Sequence, residues 1–316
     1  MKIEQQDVQQ DVAAVHSVHE FAFGVPDLKV AGQFYASFGL DVRHEDGGLG
    51  LYTDGHPHRW GRVLQGGAKK LLWLSLGLYQ PELAALLRRC GRHHVAPIER
   101  PHPQAPDGVW IAAPDGVPLC LQVAPKSSPS VASAREFAPA SGNAGRAPQR
   151  CAIRQVRPTH LSHILLFTPD IGAAIAFYCD VLGLRLSDRS GDLVAFLHSP
   201  HGSDHHLIAF ARSSAPGLHH TSWNVPSFDA VGLGAQQMAQ AGHPDGWGLG
   251  RHVLGSNYFR YVRDPWGSYA EYSFDIDFIP AGAVWPAGDY PPEDSLYVWG
   301  PDLPADFITN HEVPVM

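Results

Sequence analysis

The chain is expected to fold as an α+β protein of two similar domains, and three observations point there. Two segments share one plan: VHEFAFGVPDLKVAGQFYASFGLDV at 18–42 and LSHILLFTPDIGAAIAFYCDVLGLRL at 161–186. In each, an alternating apolar strand leads through Pro-Asp into a short helix carrying Phe-Tyr, then Gly-Leu. Pro26/Asp27 and Phe34/Tyr35 recur as Pro169/Asp170 and Phe177/Tyr178 at a constant offset of 143 residues, far longer than a solenoid repeat, which marks a duplicated domain. Finally, 32 Gly and 27 Pro among 316 residues demand many turns and exclude a coiled coil or helical bundle.

Element by element, residues 18–25 predict a strand, and the segment after Asp27 a helix closed by Gly39. QPELAALLRRC at about 80–90 predicts a second helix, with short strands around it. Residues 1–124 thus form a first domain, and the Ala/Ser/Pro-rich stretch inside 125–158 a linker. The second domain, 159–279, repeats the pattern. Asp170 is a natural N-cap, Ile171, Ile175, Tyr178 and Leu182 recur at helical spacing, and Gly183 supplies the stop. SFDAVGLGAQQMAQ at 227–240 predicts its second helix, so each half reads β-α-β-β-β with a further helix late in the unit. The Pro-rich tail, 280–316, carries Trp285, Tyr290, Tyr297 and Trp299, too many aromatics for disorder, and is expected to wrap back onto the body.

Composition narrows the function. A formal charge of −8 without any basic run disfavours nucleic acid as a partner. No apolar stretch is long enough for a membrane span and no basic start precedes an apolar core, so a soluble, cytoplasmic protein is expected. Cys90, Cys120, Cys151 and Cys179 are scattered, indicating neither a disulfide framework nor a thiolate zinc site. Low charge density and the aromatic tail favour a homo-oligomer.

Nineteen histidines are the feature to explain, because imidazole is the commonest metal ligand and the usual acid/base near neutrality. Strand alternation places Leu165 and Phe167 on the face of His163, and Ile164 and Leu166 on the other. It groups His220, Ser222 and Asn224 in HHTSWNV, and Tyr269, Glu271 and Ser273 in SYAEYSF. If these strands neighbour one another, His163, His220 and Glu271 point into one concavity. Two neutral imidazoles and a carboxylate on one side of a metal form the facial arrangement of oxygen-activating non-heme Fe(II). The ligands are 57 and 51 residues apart, so spacing alone leaves open that each is a satisfied core polar residue.

SHILLFTPDIGAAIAFYCDVLGLRLSD, HHLIAF, LHHTSW and RHVLGSNYFRYVRDPWGSYAEY together resemble the catalytic domain of the type I extradiol ring-cleavage dioxygenases of the vicinal oxygen chelate superfamily. Within that family the similarity runs toward the catechol 2,3-dioxygenases. It implies two domains, each of paired βαβββ modules in a curved, partly closed mixed sheet, with a metal only in the second. Its ligands carry over to His163, His220 and Glu271, with Fe(II) as the ion and Mn(II) as the alternative. His206, 14 residues before His220, matches the family's acid/base. His252 and Tyr261, nine apart with Tyr261 ten before Glu271, match a pair that binds substrate oxygens or the second reactant. O2 and a small aromatic diol are then the partners, and a ring-opened semialdehyde the product.

Aligned through the repeat, the first half has Glu20 at the place of His163 and Cys120 near that of Glu271, so it has no such triad. This speaks against glyoxalase-type relatives that draw ligands from both modules, a reading Glu20 keeps in view beside a metal-free binding protein. Trp223, Phe196 and Tyr258 are candidate aromatic walls for substrate. No charged cluster stands ready to clamp a carboxylate, so a neutral catechol is favoured over an acidic one, with a dihydroxybiphenyl as runner-up. The remaining histidines need no role: His93 and His94 follow a helix, His56, His58, His102, His198, His201 and His243 lie in exposed loops, His160 sits at a rim, and His205 and His219 alternate away from the site.

Overall fold

The structure, a computed structural model, describes residues 13–136 and 145–313. The first half contains β1 (Ser17–Val25), α1 (Leu28–Phe38), β2 (Asp41–Glu45), β3 (Gly48–Tyr52), β4 (Arg59–Gln65), β5 (Lys70–Leu78), α2 (Leu83–Arg92), β6 (Val109–Ala112) and β7 (Pro118–Val123). They build a seven-stranded sheet in the order β2-β3-β4-β1-β5-β7-β6. Capping accounts for the helix positions: the Asp27 carboxylate accepts the Lys29 and Val30 N–H groups, and Gly39 closes α1 at φ 101. A Cβ on Gly39 would lie 2.0 Å from the Val156 carbonyl, so glycine is required there twice over.

The second half repeats the plan with β8 (His160–Thr168), α3 (Ile171–Asp180), β9 (Arg185–Ser190), β10 (Val194–His198), β11 (Ser203–Asp204) and β12 (Ile208–Arg212). There follow β13 (Gly217–Asn224), α4 (Phe228–Gln240), β14 (Gly246–His252), β15 (Tyr258–Arg263), β16 (Tyr269–Phe274) and β17 (Phe278–Ile279). The tail adds β18 (Gly288–Asp289), α5 (Pro292–Ser295) and β19 (Tyr297–Trp299). Ten strands pair in the order β18-β9-β10-β12-β8-β13-β16-β15-β14-β19, while β11 and β17 pair apart. The opening strands of consecutive modules, β1 with β5 and β8 with β13, meet antiparallel at the centre of each sheet. Both sheets keep two free edges, so neither closes into a barrel.

One module departs from the expected pattern. Only β6 and β7 follow α2, where three strands follow the helix elsewhere. Pro97, Pro101, Pro103 and Pro106 occupy the missing strand's place and cannot donate to a ladder, leaving one isolated bridge, Pro97 to Ile111.

A continuous apolar core spans both halves. Phe38 stacks on Tyr272 at 3.9 Å between ring centroids, and the Tyr272 hydroxyl donates to the Phe38 carbonyl at 2.8 Å. Lys69 and Asp264 form an ion pair of 3.0 Å between the halves, almost wholly buried. The linker is stitched to both: Gln155 donates to the Ala36 carbonyl, Gln237 accepts the Val156 N–H, and Arg135 pairs with Asp275. Its residues 137–144 lie outside the described residues. The tail wraps back: β18 pairs with β9, β19 with β14, and Glu312 accepts from Leu71 N–H of one half and Leu218 N–H of the other. No helix among the described residues is long and apolar enough to cross a membrane.

Candidate metal centre

Strands β8, β13 and β16 are neighbours, and their registers set Ser222 opposite both His163 and Glu271. The side chains of His163, His220 and Glu271 converge on the same face. His163 Nε2 lies 3.3 Å from His220 Nε2 and 3.3 Å from Glu271 Oε2, and His220 Nε2 lies 3.5 Å from that oxygen. All three residues are buried, and Glu271 Oε2 has no hydrogen-bond partner. A naked carboxylate oxygen facing two imidazole nitrogens is unstable without a cation. An octahedral face built on bonds of about 2.1 Å has edges of about 3 Å, so the donor triangle fits a first-row divalent ion. Among the described residues this is the one cluster of His, Cys, Asp and Glu with metal-holding geometry.

The hydrogen bonds behind the ligands fix their tautomers. The Phe307 carbonyl can only accept, so His219 Nε2–H donates to it at 2.8 Å, which leaves His219 Nδ1 as an acceptor. His220 Nδ1–H then donates to His219 Nδ1 at 2.7 Å, and His220 Nε2 carries a free lone pair toward the triangle. Burial holds the His220 imidazole well below its ordinary pKa, as a neutral ligand must be, and nearby histidines add to the effect. Behind His163, Ser162 Oγ lies 3.3 Å from Nδ1 and donates to Asp204 at 2.6 Å. Burial works to raise Glu271, but the imidazoles set against it, His163 foremost and then His252, outweigh it and hold the carboxyl below its usual range.

Beside the triangle, His252 Nδ1–H donates to the Leu296 carbonyl at 2.8 Å, so His252 Nε2 accepts the Tyr261 hydroxyl at 2.9 Å. Burial first and Glu271 second push the Tyr261 phenol well up, keeping it a donor. His206 is 3% exposed, with its ring 4.0 Å from that of His163. Burial, reinforced by surrounding histidines, drives its pKa well down, so it stands as a neutral base.

His163, His206, His220, His252 and Tyr261 line a cavity of about 290 Å³. Leu165, Val194, Phe196 and Ala211 of the sheet form one wall, and Leu296, Leu303, Phe307 and Ile308 of the tail the other. Arg212 reaches the rim, where its guanidinium is taken by Asp192.

Phe196 is at the cavity, 4.8 Å from the His206 ring, but the other two aromatic candidates are not. Trp223 is fully buried in the core between the halves, edge-on to Phe21 at 6.2 Å. Tyr258 packs against Phe228, Phe274 and Trp299 on the outer face. Each stands three residues from a cavity-facing residue, His220 or Tyr261, and an odd step on a strand reverses the face. His219 corrects the opposite way: a register slip between Leu218 and His220 in the β8–β13 ladder turns both histidines to the cavity. His205 precedes β12 rather than sitting in it and bonds to His206 instead of facing away. His198 is buried against Ser187 rather than exposed. Asn257 gave no signal in the sequence, yet its amide donates to Glu271 Oε1 at 3.2 Å and Ser273 Oγ at 3.0 Å.

The first half has the same lattice with its chemistry replaced. Glu20, Ser75 and Cys120 stand in register as His163, Ser222 and Glu271 do, and Trp73 holds the position of His220. Glu20 is consumed by Arg59 at 2.5 Å and Arg62 at 3.5 Å, and burial pushes the Cys120 thiol up to about 12, leaving no thiolate for a metal.

Residues 160–272 match the model of the Glyoxalase/Bleomycin resistance protein/Dioxygenase superfamily. Metapyrocatechase 2 of Cupriavidus necator is 48% identical over 299 residues, covering 95% of this chain and 93% of that protein. The fold is shared with 2,2',3-trihydroxybiphenyl 1,2-dioxygenase of Sphingomonas wittichii strain RW1, at TM-score 0.71 and 22% identity over 92% of this chain and 100% of that one. It is shared equally with the Mn(II)-bound glyoxalase of Novosphingobium aromaticivorans, at TM-score 0.71 and 23% identity over 91% and 92% of the two chains. End-to-end identity of this level, on a sheet that carries the donor triangle in its second half alone, makes the chain a member of the metapyrocatechase family of extradiol ring-cleavage dioxygenases.

Proposed function

We propose that the protein opens the ring of a neutral catechol by extradiol cleavage, using O2 at a divalent iron held by His163, His220 and Glu271. The observation that carries this is the buried donor triangle, with its unpartnered Glu271 oxygen and its two histidines lining an apolar cavity. Two neutral imidazoles and one carboxylate leave coordination positions for a chelating diol and for oxygen, the donor set of non-heme Fe(II) oxygenases, with Mn(II) the alternative occupant. A bound ion of this kind acidifies the diol hydroxyls and links the ring electronically to oxygen.

The protein's own groups do the rest. His206, neutral and on the cavity wall, takes the proton of a diol hydroxyl and returns it later as an acid. Tyr261 exchanges its bond to His252 Nε2 for one to the diol, donating its hydroxyl to a substrate oxygen, and the released His252 Nε2 accepts from the substrate's remaining O–H. Phe196, Leu165 and Phe307 hold the ring by its faces and keep water from it. The volume of about 290 Å³ sits at the lower end of small-molecule sites, favouring one ring over two. Among the described residues that line the cavity Arg212 is the one Lys or Arg, and Asp192 engages it. Self-association, supported by the low charge density and the aromatic tail, and a cytoplasmic location complete the reading.

The test is anaerobic reconstitution with Fe(II), and in parallel with Mn(II), followed by O2 uptake and the visible absorbance of ring-opened product across catechol, methylcatechols, a carboxylated catechol and dihydroxybiphenyl. Catechol or methylcatechol with Fe(II) is expected to turn over fastest and the carboxylated ring slowest. Stoichiometric iron with no product from any diol overturns the proposal.

A further inference from the structure

Directly behind His206 lies a chain of buried polar groups that the reaction as described leaves unused. His205, fully buried, places Nδ1 3.1 Å from His206 Nδ1 and Nε2 2.7 Å from Asp188 Oδ2. Asp188, 3% exposed, also accepts the Trp285 indole N–H at 3.3 Å on Oδ2 and the Gly288 N–H at 2.7 Å on Oδ1. Three N–H donors thus surround one carboxylate, and only a group that accepts on both oxygens satisfies them. Two of the three come from the C-terminal tail.

We propose that Asp188 and His205 are positioning residues that fix the tautomer of His206 as the one with a free Nε2 lone pair. The direction of each bond follows from the acceptor at the end of the chain. Asp188 accepts only, so His205 must carry its proton on Nε2, and with that proton placed Nδ1 is the lone pair that faces His206. His206 then carries its proton on Nδ1 and donates it to His205, leaving Nε2 unprotonated on the cavity side. When a diol O–H bond breaks, its proton forms the new N–H bond at Nε2 and the electron pair stays on the substrate oxygen. The imidazolium charge is met through Nδ1–H by the His205–Asp188 pair. The same device orients His220 through His219 and the Phe307 carbonyl, so two adjacent His-His steps are each anchored at an acceptor. An acceptor that holds a catalytic imidazole in the productive tautomer is worth large factors in rate where its loss has been isolated.

The proposal rests on His206 as the base, and the experiment separates the two claims. Asp188→Asn is isosteric, but it keeps the Gly288 bond only by turning its NH2 toward His205. That reverses both imidazoles and puts a proton on His206 Nε2. In the iron-loaded enzyme, kcat is expected to fall roughly 10²-fold, with KM for catechol changed less than about threefold and iron content unchanged. His205→Gln, which loses the Nδ1 acceptor, is expected to lower kcat similarly. Added to His206→Phe, Asp188→Asn is expected to change kcat by less than about twofold, because the group it orients is gone. An Asp188→Asn kcat within threefold of wild type, or an equal fall in both backgrounds, overturns the positioning role. A His206→Phe enzyme of undiminished kcat removes the base itself, and the tautomer proposal with it.

Discussion

Glu271→Gln is expected to lower bound iron from one ion per chain to less than about a tenth and to reduce kcat by more than roughly 10³-fold. Glutamine preserves the shape of the side chain and its bond from Asn257, so what is lost is the charge. Glu271 is fully buried, and its carboxylate is the single anion in the donor triangle. Without it, two neutral imidazoles must hold a divalent ion in a low-dielectric site with nothing to offset the ion's own desolvation. Loss of a partner that merely orients a ligand costs about 10- to 100-fold in metal affinity or activity, so loss of the ligand itself lies beyond that range. Metal analysis of the dialysed variant beside steady-state turnover checks both numbers. Full iron occupancy with turnover within tenfold of wild type would exclude Glu271 from the metal shell.

The second large effect is at His206. His206→Phe keeps a planar ring against His163 and Phe196 but removes the base, and turnover is expected to fall by roughly 10² to 10⁴. Iron content and catechol affinity are expected to stay within about threefold, since no atom of the triangle changes. Burial drives the His206 pKa well down, which keeps the imidazole neutral and able to accept a proton as substrate arrives. Titration of iron and anaerobic substrate binding, measured with kcat on one preparation, separates the outcomes. Iron loss would place His206 among the ligands, and unchanged kcat would leave the diol proton to another acceptor.

Much of this site is visible in the chain because strand alternation is a strict code. His163, His220 and Glu271 lie on residues whose parity matches their neighbours Leu165, Ser222 and Ser273, and three adjacent strands bring the three together. The same code argued against Trp223 and Tyr258, each an odd step from a cavity residue, and choosing them for aromaticity overrode it. His219 escaped for the opposite reason. A bulge breaks the alternation locally, and nothing in HHTSWNV announces where the extra residue falls. The tail was readable as a segment that folds back but not as part of the site. Besides the apolar side chains that wall the cavity, it contributes the backbone carbonyls of Leu296 and Phe307 and the N–H of Gly288, and these backbone groups carry no side-chain signature. Asn257 belongs to the same class, since its bond to Glu271 exists only because the segment between β14 and β15 folds beneath the carboxylate. The missing strand of the first domain was legible in principle, because four prolines in ten residues cannot join a ladder.

The central claim, ring cleavage by insertion of both atoms of O2 at the His163–His220–Glu271 site, is tested most directly by isotope. Iron-loaded enzyme supplied with catechol under ¹⁸O2 is expected to yield a ring-opened semialdehyde carrying two labelled oxygens per molecule, with one O2 consumed per catechol. With the aldehyde reduced to the alcohol as it forms, so that its oxygen cannot exchange with water, a product with a single labelled oxygen, or consumption of the diol without label or oxygen uptake, would contradict the account.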